Sequence, residues 1–513
     1  MSHAVAPEGA TRRADLQEKG LSRGSLGLVA SVVLGVSSVA PVYALTATLG
    51  PTVSEVGLQM PAVFLVGFLP MLLVAYGYRE LNRVAPDCGT SFTWATKAFN
   101  PWVGWMTGWA ALLATIIVLS NLAGVAVTFF YLMLGEVTGS EGVVTFGDRT
   151  PVHVATCLVF IAVATVVAYR GTTLTKRVQY ALVGFQLAVL LLFLVLALLE
   201  ISGDRPAQSL SFDPSWLDVT QVPSFSAFTA GLSLSLFIYW GWDTCLTVNE
   251  ETEGSARTPG RAALLCIAVI VTTYLGTAIV LQMYAGIGTE GLGLGNPETS
   301  DNVFAALAGP VLGPGLASLL FLAVVASSAS SLQTTFLPPA RTLLAMATYR
   351  ALPEPFARVH PRFQSPSVAT IACGVAAGTF YALMVVISEN VLLDTIYALG
   401  LMICFYYGLT AAACVWWFRH ELTSSARDLV FKGLLPGAGA LVLLAVFLQT
   451  AHDALDPAYG SGSSVFGVGS VFVVGIGSLL LGAVLMLVRR RREPAFFRGE
   501  TLRTDTPSLV LPD

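Results

Sequence analysis

The chain has 513 residues, of which 55% are hydrophobic and only 11% charged, and its mean hydropathy is +0.73. A soluble domain carries about 25% charged residues, so the composition excludes a string of soluble domains and predicts one helical membrane domain. The net charge of −4 is the near-cancellation of two opposed surfaces and says little about partners.

The first 24 residues are polar and carry Arg12, Arg13, Lys19 and Arg23. No small-residue cleavage site follows a short apolar core, so a tail is expected here rather than a signal peptide. Twelve apolar runs follow, near 26–49, 57–78, 102–133, 152–169, 178–199, 223–247, 263–286, 314–346, 367–387, 391–417, 433–450 and 464–488. Each reaches the roughly 20 residues of helix that cross about 30 Å of hydrocarbon, and 102–133 and 314–346 exceed it. Of the 27 Lys and Arg, all but Arg149 and Arg205 then fall on one side. Loops on that side are read as holding Arg79, Arg83, Lys97, Arg170, Lys176, Arg177, Arg341, Arg350, Arg358 and Arg362, and loops on the other are acidic, with Glu136, Asp204, Asp213, Glu298 and Asp453 among them. The positive-inside rule makes the basic side cytoplasmic and places both termini there, the second anchored by Arg489–Arg492.

Asp243, in the sixth run, is read as the charge left inside a span. A carboxylate at bilayer depth costs roughly 2.5–3.5 kcal/mol on the lenient insertion scale, which marks a functional site by default. The first run, LVASVVLGVSSVAPVYALTATLG, is interrupted by Pro41, which lacks a backbone donor. The sixth, FTAGLSLSLFIYWGWDTCLTVNEE, is weakened by Gly231 and Gly241. Runs one and six are five apart, an odd offset, so a repeat of spans 1–5 by 6–10 is inverted. Interrupted helices at matching places of inverted halves point to a midplane site.

Other chemistries find little support. The seven cysteines show no C-x-x-C spacing, the five His form no H-E-x-x-H, and there is no G-x-x-x-x-G-K-[ST], so zinc, a disulfide framework and an ATP motor are not expected. No nucleophile–base set is present, so the chain does not read as an enzyme. No cofactor and no nucleic-acid partner are expected. The expected partners are the lipid bilayer and a small-molecule substrate.

Four stretches resemble a known family: the first run, YRELNRVAPDCGTSFTWATKAFNPWVGWMTGW, FIYWGWDTCLTVNEETEGSARTPGRA, and ARTLLAMATYRALPEPFARVHPRFQSPSVAT. They look like the amino acid–polyamine–organocation (APC) superfamily of permeases, over about 25–420. The resemblance implies an all-α membrane protein of about 12 transmembrane helices: a 5+5 inverted-repeat core with discontinuous helices 1 and 6, plus two trailing helices, working by alternating access. The implied organisation is a cytoplasmic tail over 1–24, the core over 25–420, helices 11 and 12 over 421–490, and a second tail over 491–513.

In that family, carbonyls of the unwound sixth span hold the substrate's amino group. They map onto Phe237, Ile238 and Trp240, with Tyr239, Gly241 and Asp243 at commonly matching positions. Asp243 either meets the substrate's ammonium or serves the structure, capping the broken helix or bonding Thr244. Two departures stand out. The glycine cradle for an α-carboxylate is replaced by Val39-Ala40-Pro41, leaving Ser37 and Ser38 as alternative donors, and the Lys that some proton-coupled members carry in span five maps onto Gln186. In span eight, Ser327, Ser328, Ser330 and Ser331 offer oxygen ligands for Na+, or else let helices pack closely. Ser120, Asn121 and Tyr397 are further lining candidates, and the Trp stripes 102-105-109 and 416-417 read as interfacial anchors. The function that follows is a secondary permease for amino acids, coupled to H+ or Na+ or to exchange. The alternatives are a polyamine or other organic amine as substrate, and, as other classes, a channel or a membrane sensor.

Overall fold

The computed structural model describes residues 19–203, 205–313, 315–387 and 391–507. Arg12, Arg13 and Asp204 and the last part of the C-terminal tail lie outside the described residues. Apolar runs become helices because a bilayer offers no partner for a free N–H or C=O. The first span is split into α1 (Leu28–Val39) and α2 (Pro41–Val56). Then come α3 (Met60–Val84), a short α4 (Ser91–Ala98), α5 (Pro101–Thr138), α6 (Thr150–Tyr169) and α7 (Thr172–Ser202). The sixth span is α8 (Phe225–Ile238), an irregular turn and α9 (Thr244–Thr247). It is followed by α10 (Thr258–Ala285), α11 (Val303–Leu312), a split eighth span of α12 (Ala317–Thr335) and α13 (Leu337–Thr348), α14 (Ser367–Ile387) and α15 (Val391–Trp417). The trailing pair is α16 (Leu435–Asp453) and α17 (Ser470–Arg492), joined through a small hairpin, and α18 (Pro494–Phe497) opens the tail.

Ten helical runs among the described residues are long and apolar enough to cross a membrane. One of them, Leu28–Val84, is 57 residues long and contains the first two spans, and the shorter Phe225–Ile238 begins the sixth. Twelve apolar spans result, near the positions expected, except that the last begins only at Ser470, the preceding Ser464–Gly469 forming the small hairpin. The long run at 314–346 exceeds one bilayer because it bends at Phe336, ahead of Pro338 and Pro339.

The packing is symmetric under an offset of five spans. Spans one and six pack together (α2 with α8, α1 with α9), as do two and seven (α3, α10), three and eight (α5, α12), and four and nine (α6, α14). The contact of α7 with α12 is mirrored by that of α15 with α5. Spans three and ten form the centre, with 78% of their apolar windows buried, against 22% for spans four and twelve, which face lipid. The trailing helices cover one side: α16 rests on α15 and α3, and α17 on α15 and α5.

Two expectations change. Asp243 is not the lone buried charge among the spans. Asp394, at the start of α15, accepts from Ser461 N and Oγ (2.9 and 2.7 Å) and from Ser470 Oγ (2.5 Å), and Arg341 in α13 is buried against Glu251. Both are satisfied by polar partners contributed from loops or other spans, which the span boundaries alone do not reveal. Nor are the span-three tryptophans free interfacial anchors. Trp105 Nε1 donates to Gly482 O (3.3 Å), Trp109 Nε1 donates to Ser478 O (2.9 Å), and the rings of Trp102 and Trp105 pack on Phe497 of the tail. Trp416 is exposed, with Arg419 over its ring at 4.6 Å, as an anchor requires.

Helix approach depends on small residues. A Cβ on Gly67 of α3 would fall 2.0 Å from Ser235 Oγ of α8. Gly67→Val must therefore separate spans two and six. Overpacking of this kind costs about 1–3 kcal/mol, and a lowered thermal midpoint of the purified protein in detergent is the expected result. An unchanged midpoint would contradict this packing.

Candidate substrate and ion site at the broken helices

The two breaks meet. Ala40 leaves the first helix with φ 54° and ψ 67°, and Pro41 begins the next half-helix. Pro disfavours helical geometry for the residue before it, and a left-handed alanine costs energy that the surrounding packing must offset. In the sixth span, Gly241 has φ 107°, and a Cβ there would lie 3.1 Å from the carbonyl carbon of Ser38. Both the dihedral angle and the approach demand glycine. Thr244 Oγ1 donates to Ser38 Oγ (2.8 Å), and Ser331 Oγ donates to the Ser38 carbonyl (2.8 Å).

At the turn, the Phe237 carbonyl accepts from Trp240 N (3.0 Å), while no hydrogen bond is made to the carbonyls of Ile238 or Trp240 among the described residues. Tyr239 does not face the same space as Asp243. Its ring packs against Phe68 and Tyr274, between spans two and seven, and its hydroxyl is buried without a partner among the described residues. Asp243 is 7% exposed, and no basic side chain pairs with it among the described residues. Thr244 turns to Ser38 instead of to the carboxylate.

Around Asp243 is a shell that the sequence did not single out. Thr90, Ser91, Thr115, Thr247, Thr342 and Tyr406 share with it a cavity of about 10 Å³, at the lower limit of what one water needs. Tyr406 accepts from Trp240 Nε1 (2.5 Å), Tyr78 and Tyr407 lie close to the carboxylate, and the Tyr78, Trp94, Trp242 and Tyr407 rings form one edge-packed cluster. Tyrosines in an apolar span look like core from sequence. The signal that existed was the resemblance of the loop carrying Thr90, whose φ of 39° is itself a strained geometry.

The span-eight serines meet span one and span five individually. Ser327 Oγ accepts from Tyr43 N (3.2 Å), Ser331 bonds Ser38 as above, and Ser328 Oγ is buried without a partner among the described residues. Ser330 Oγ donates to Gln179 Oε1 (2.5 Å), Ser37 Oγ donates to the same oxygen (2.7 Å), and Gln179 Nε2 donates back to Ser330 O (3.2 Å). The fifth-span group at the break is thus Gln179. Gln186, two turns further along α7, is buried with neither amide atom partnered among the described residues. Gln179 and Gln186 share one face of the helix, and the one that bonds span one is Gln179.

The remaining candidates lie elsewhere. Ser120 Oγ donates to Ala377 O (2.9 Å) of α14, and Asn121 Oδ1 accepts from Thr395 Oγ1 (3.2 Å) of α15. Tyr397 OH donates to Glu55 Oε1 (2.9 Å), at the acidic-face end of α2. They hold helices together and do not join the break. Val39 and Ala40 contribute backbone there.

On the basic face a buried ion cluster lies beneath Asp243. Lys19 Nζ is 2.8 Å from Asp87 Oδ2 and 2.6 Å from Glu250 Oε1, with Cys88 Sγ at 3.5 Å. Asp87, Cys88 and Glu250 have the spacing of a metal site, but the Lys19 ammonium occupies its middle. Asp87 also accepts from Tyr349 OH (2.7 Å), Gly89 N and Thr93 Oγ1 (both 2.8 Å). Arg341 Nε donates to Glu251 Oε1 (2.7 Å). Burial opposes the charge on Lys19, but Asp87, with Glu250, outweighs it and raises the ammonium well above its ordinary value. Burial likewise pushes Asp87 up, and Lys19 outweighs it and holds the carboxyl below its ordinary value. The tail seals this layer: Phe496 and Leu502 are buried, Thr501 Oγ1 donates to Tyr349 O (2.6 Å), and Lys97 Nζ donates to Thr506 O (2.7 Å).

Asp87's lowered pKa contributes stability above its unfolded value of about 3.9, and that is lost as pH falls through the folded value. Lys19's raised pKa contributes fully below about 10.4 and is lost as pH rises through its folded value. Lys19→Met leaves two buried carboxylates unpaired, at about 3–5 kcal/mol. The thermal midpoint at pH 7 should fall, and the deficit should shrink on acidification as the carboxyls take up protons. A pH-independent deficit would mean that the loss is of packing alone.

The amino acid permease family model matches residues 26–452. The low-affinity putrescine importer PlaP of Escherichia coli strain K12 is 23% identical over 461 residues, covering 89% of this chain and 93% of that protein. The methylthioribose transporter of Bacillus subtilis is 21% identical, over 72% of this chain and 76% of its own length. The structure of MhsT in complex with L-phenylalanine superposes with a TM-score of 0.58 at 16% identity, covering 82% of this chain and 98% of that one, and so shares the fold. With twelve crossings, two meeting breaks and a match over most of its length, the chain belongs to the amino acid permease family, as a multi-pass membrane transporter.

Proposed function

We propose that the protein is a secondary permease for a small organic amine, and that Asp243 is the counter-charge for the ammonium group as it passes the sixth-span break. The observation that carries this is a buried carboxylate with no basic partner among the described residues, next to the unbonded Ile238 and Trp240 carbonyls and a ring of hydroxyls. An ammonium exchanges its hydration for these oxygens at little net loss. The anionic end of an amino acid is less well served. Pro41 has no N–H, Ser37 is held by Gln179, Ser38 Oγ accepts from Thr244, and Tyr43 N is bound to Ser327. The putrescine importer among the relatives supports the amine. An α-amino acid is the second reading, favoured by the family itself and by the buried Ser328 hydroxyl of span eight, which has no partner among the described residues.

The basic face is taken as cytoplasmic in the plasma membrane, by the charge asymmetry of the loops. Coupling is assigned to substrate exchange. Three of the four span-eight hydroxyls that Na+ would use, those of Ser327, Ser330 and Ser331, are tied to the Gln179 amide or to span-one backbone, with Ser328 the exception, and an amide neither carries nor releases a proton at physiological pH.

Asp243→Asn preserves shape and removes charge. Uptake of a labelled diamine into proteoliposomes should fall roughly tenfold or more, equivalent to about 1.4 kcal/mol or more. Normal uptake by a folded variant would remove Asp243 from the site.

Exchange against preloaded substrate should proceed equally in Na+ and K+ buffers, with or without a pH gradient. A strict Na+ requirement would overturn the assignment. In competition, a decarboxylated amine should outcompete its parent amino acid, and the opposite order would select the second reading.

A further inference from the structure

A second cavity, of about 380 Å³, opens on the basic face away from the breaks. It falls in the roughly 300–1,000 Å³ range of small-ligand sites. Three segments distant in sequence build it. The end of α3 gives Glu80 and Arg83, the loop after the sixth span gives Arg257, and the segment entering span eleven gives Arg427, Asp428 and Lys432. Cations outnumber acids by four to two.

The acids are already engaged. Arg83 is 3.2 Å from Glu80, and Lys432 is 2.8 Å from Asp428 and 2.6 Å from Glu421. Arg257 and Arg427 are both exposed, and neither has an ion-pair partner among the described residues. Two guanidiniums facing one cavity are suited to a phosphate, which each can grip with two parallel N–H donors.

The floor is shaped for this. Leu429–Leu434 is a π-helix, a rare geometry that recurs at functional sites, and it places Phe431 and Lys432 on the cavity. Phe431 is fixed by packing on Tyr76 at 5.1 Å. Immediately beyond it, Leu434 and Leu441 of span eleven are exposed, at 58% and 69%, toward the lipid side of the bundle. A ligand held here by its charge has an apolar track beside it for hydrocarbon chains. Basic pockets between spans at the cytoplasmic boundary suit anionic headgroups.

We propose that this cavity binds the phosphate headgroup of an anionic phospholipid, with Arg257 and Arg427 as its primary contacts and the acyl chains along Leu434 and Leu441. The choice of inner-leaflet lipid rests on the reading that the basic face is cytoplasmic; the binding chemistry itself does not rest on the transport reading. Asn82 Nδ2 bonds the carbonyls of Ser255 (2.8 Å) and Ala256 (3.3 Å), so α3 and the loop are already joined. A headgroup would tie Arg427, at the entry to span eleven, to Arg257 of that loop and stabilise the closed arrangement of the basic face.

The test is binding, read without transport. Purified protein in neutral detergent is titrated with phosphatidylglycerol, with phosphatidylcholine, and with inorganic phosphate, following thermal midpoint and lipid adducts by native mass spectrometry. The expected result is a midpoint rise and retained adducts with phosphatidylglycerol alone, and at least tenfold weaker binding by the Arg257→Gln, Arg427→Gln double variant. Both arginines are exposed, so the lipid-free midpoint of that variant should match the parent. A control, Arg350→Gln with Arg358→Gln, removes exposed charge from the same face outside the cavity and should bind normally. Equal loss in the control would show general attraction to the basic face and overturn the site. Equal stabilisation by phosphatidylcholine would overturn the charge reading, and equal stabilisation by inorganic phosphate would overturn the lipid. Failure of transport in any of these proteins would bear on the permease reading and leave the binding result unaffected.

Discussion

The close approach of Ser38 to Gly241 is the contact on which the site depends. A broken helix in hydrocarbon exposes backbone groups that water cannot reach, so it survives only where protein supplies the partners. Here each break supplies the other. Glycine in the sixth span lets the two backbones touch, Thr244 and Ser331 bond Ser38 from either side, and Pro41 removes a donor that would otherwise need an acceptor. Adding one Cβ at position 241 would push the two spans apart and strand the polar groups of both.

The same contact sorts the polar residues around it. On one side, Ser37, Ser330 and Gln179 form a neutral knot that joins spans one, eight and five without a charge. On the other, Asp243 faces tyrosines and threonines with no cation of its own among the described residues. The asymmetry has a physical consequence. A neutral, saturated knot is a structural joint, whereas a buried charge lacking its counter-ion is stabilised when one arrives.

Beneath the site, the basic face is closed by paired charges. Lys19 bridges Asp87 and Glu250, and Arg341 meets Glu251, so the segment after the sixth-span turn is tied to span eight and to the N-terminal segment. The C-terminal tail lies over Tyr349, which itself donates to Asp87. On the acidic face, Tyr397 and Glu55 join span ten to span one, and Asp394 gathers Ser461 and Ser470. With a cavity near Asp243 of only about 10 Å³, substrate can reach the break only if one of these layers opens.

The sequence by itself determined the twelve crossings, their two opposed faces and the two breaks, because hydrocarbon imposes length, polarity and backbone satisfaction on each span separately. Pro41 and Gly241 were legible for the same reason: they act on their own backbone. It also determined that Asp243 is costly where it lies. Only the tertiary structure decided what surrounds that charge, since Thr90, Tyr406 and Tyr78 come from three other elements and look like ordinary loop or core residues in one dimension. Only it distinguished Gln179 from Gln186, which share a helix face but differ by two turns in depth. It moved Ser120, Asn121 and Tyr397 out of the site, and it paired Asp394 and Arg341 with partners from distant segments. Periodicity fixes the direction of a side chain around its own helix, while its partner is fixed by how far neighbouring helices slide and cross, which depends on the packing of all of them together.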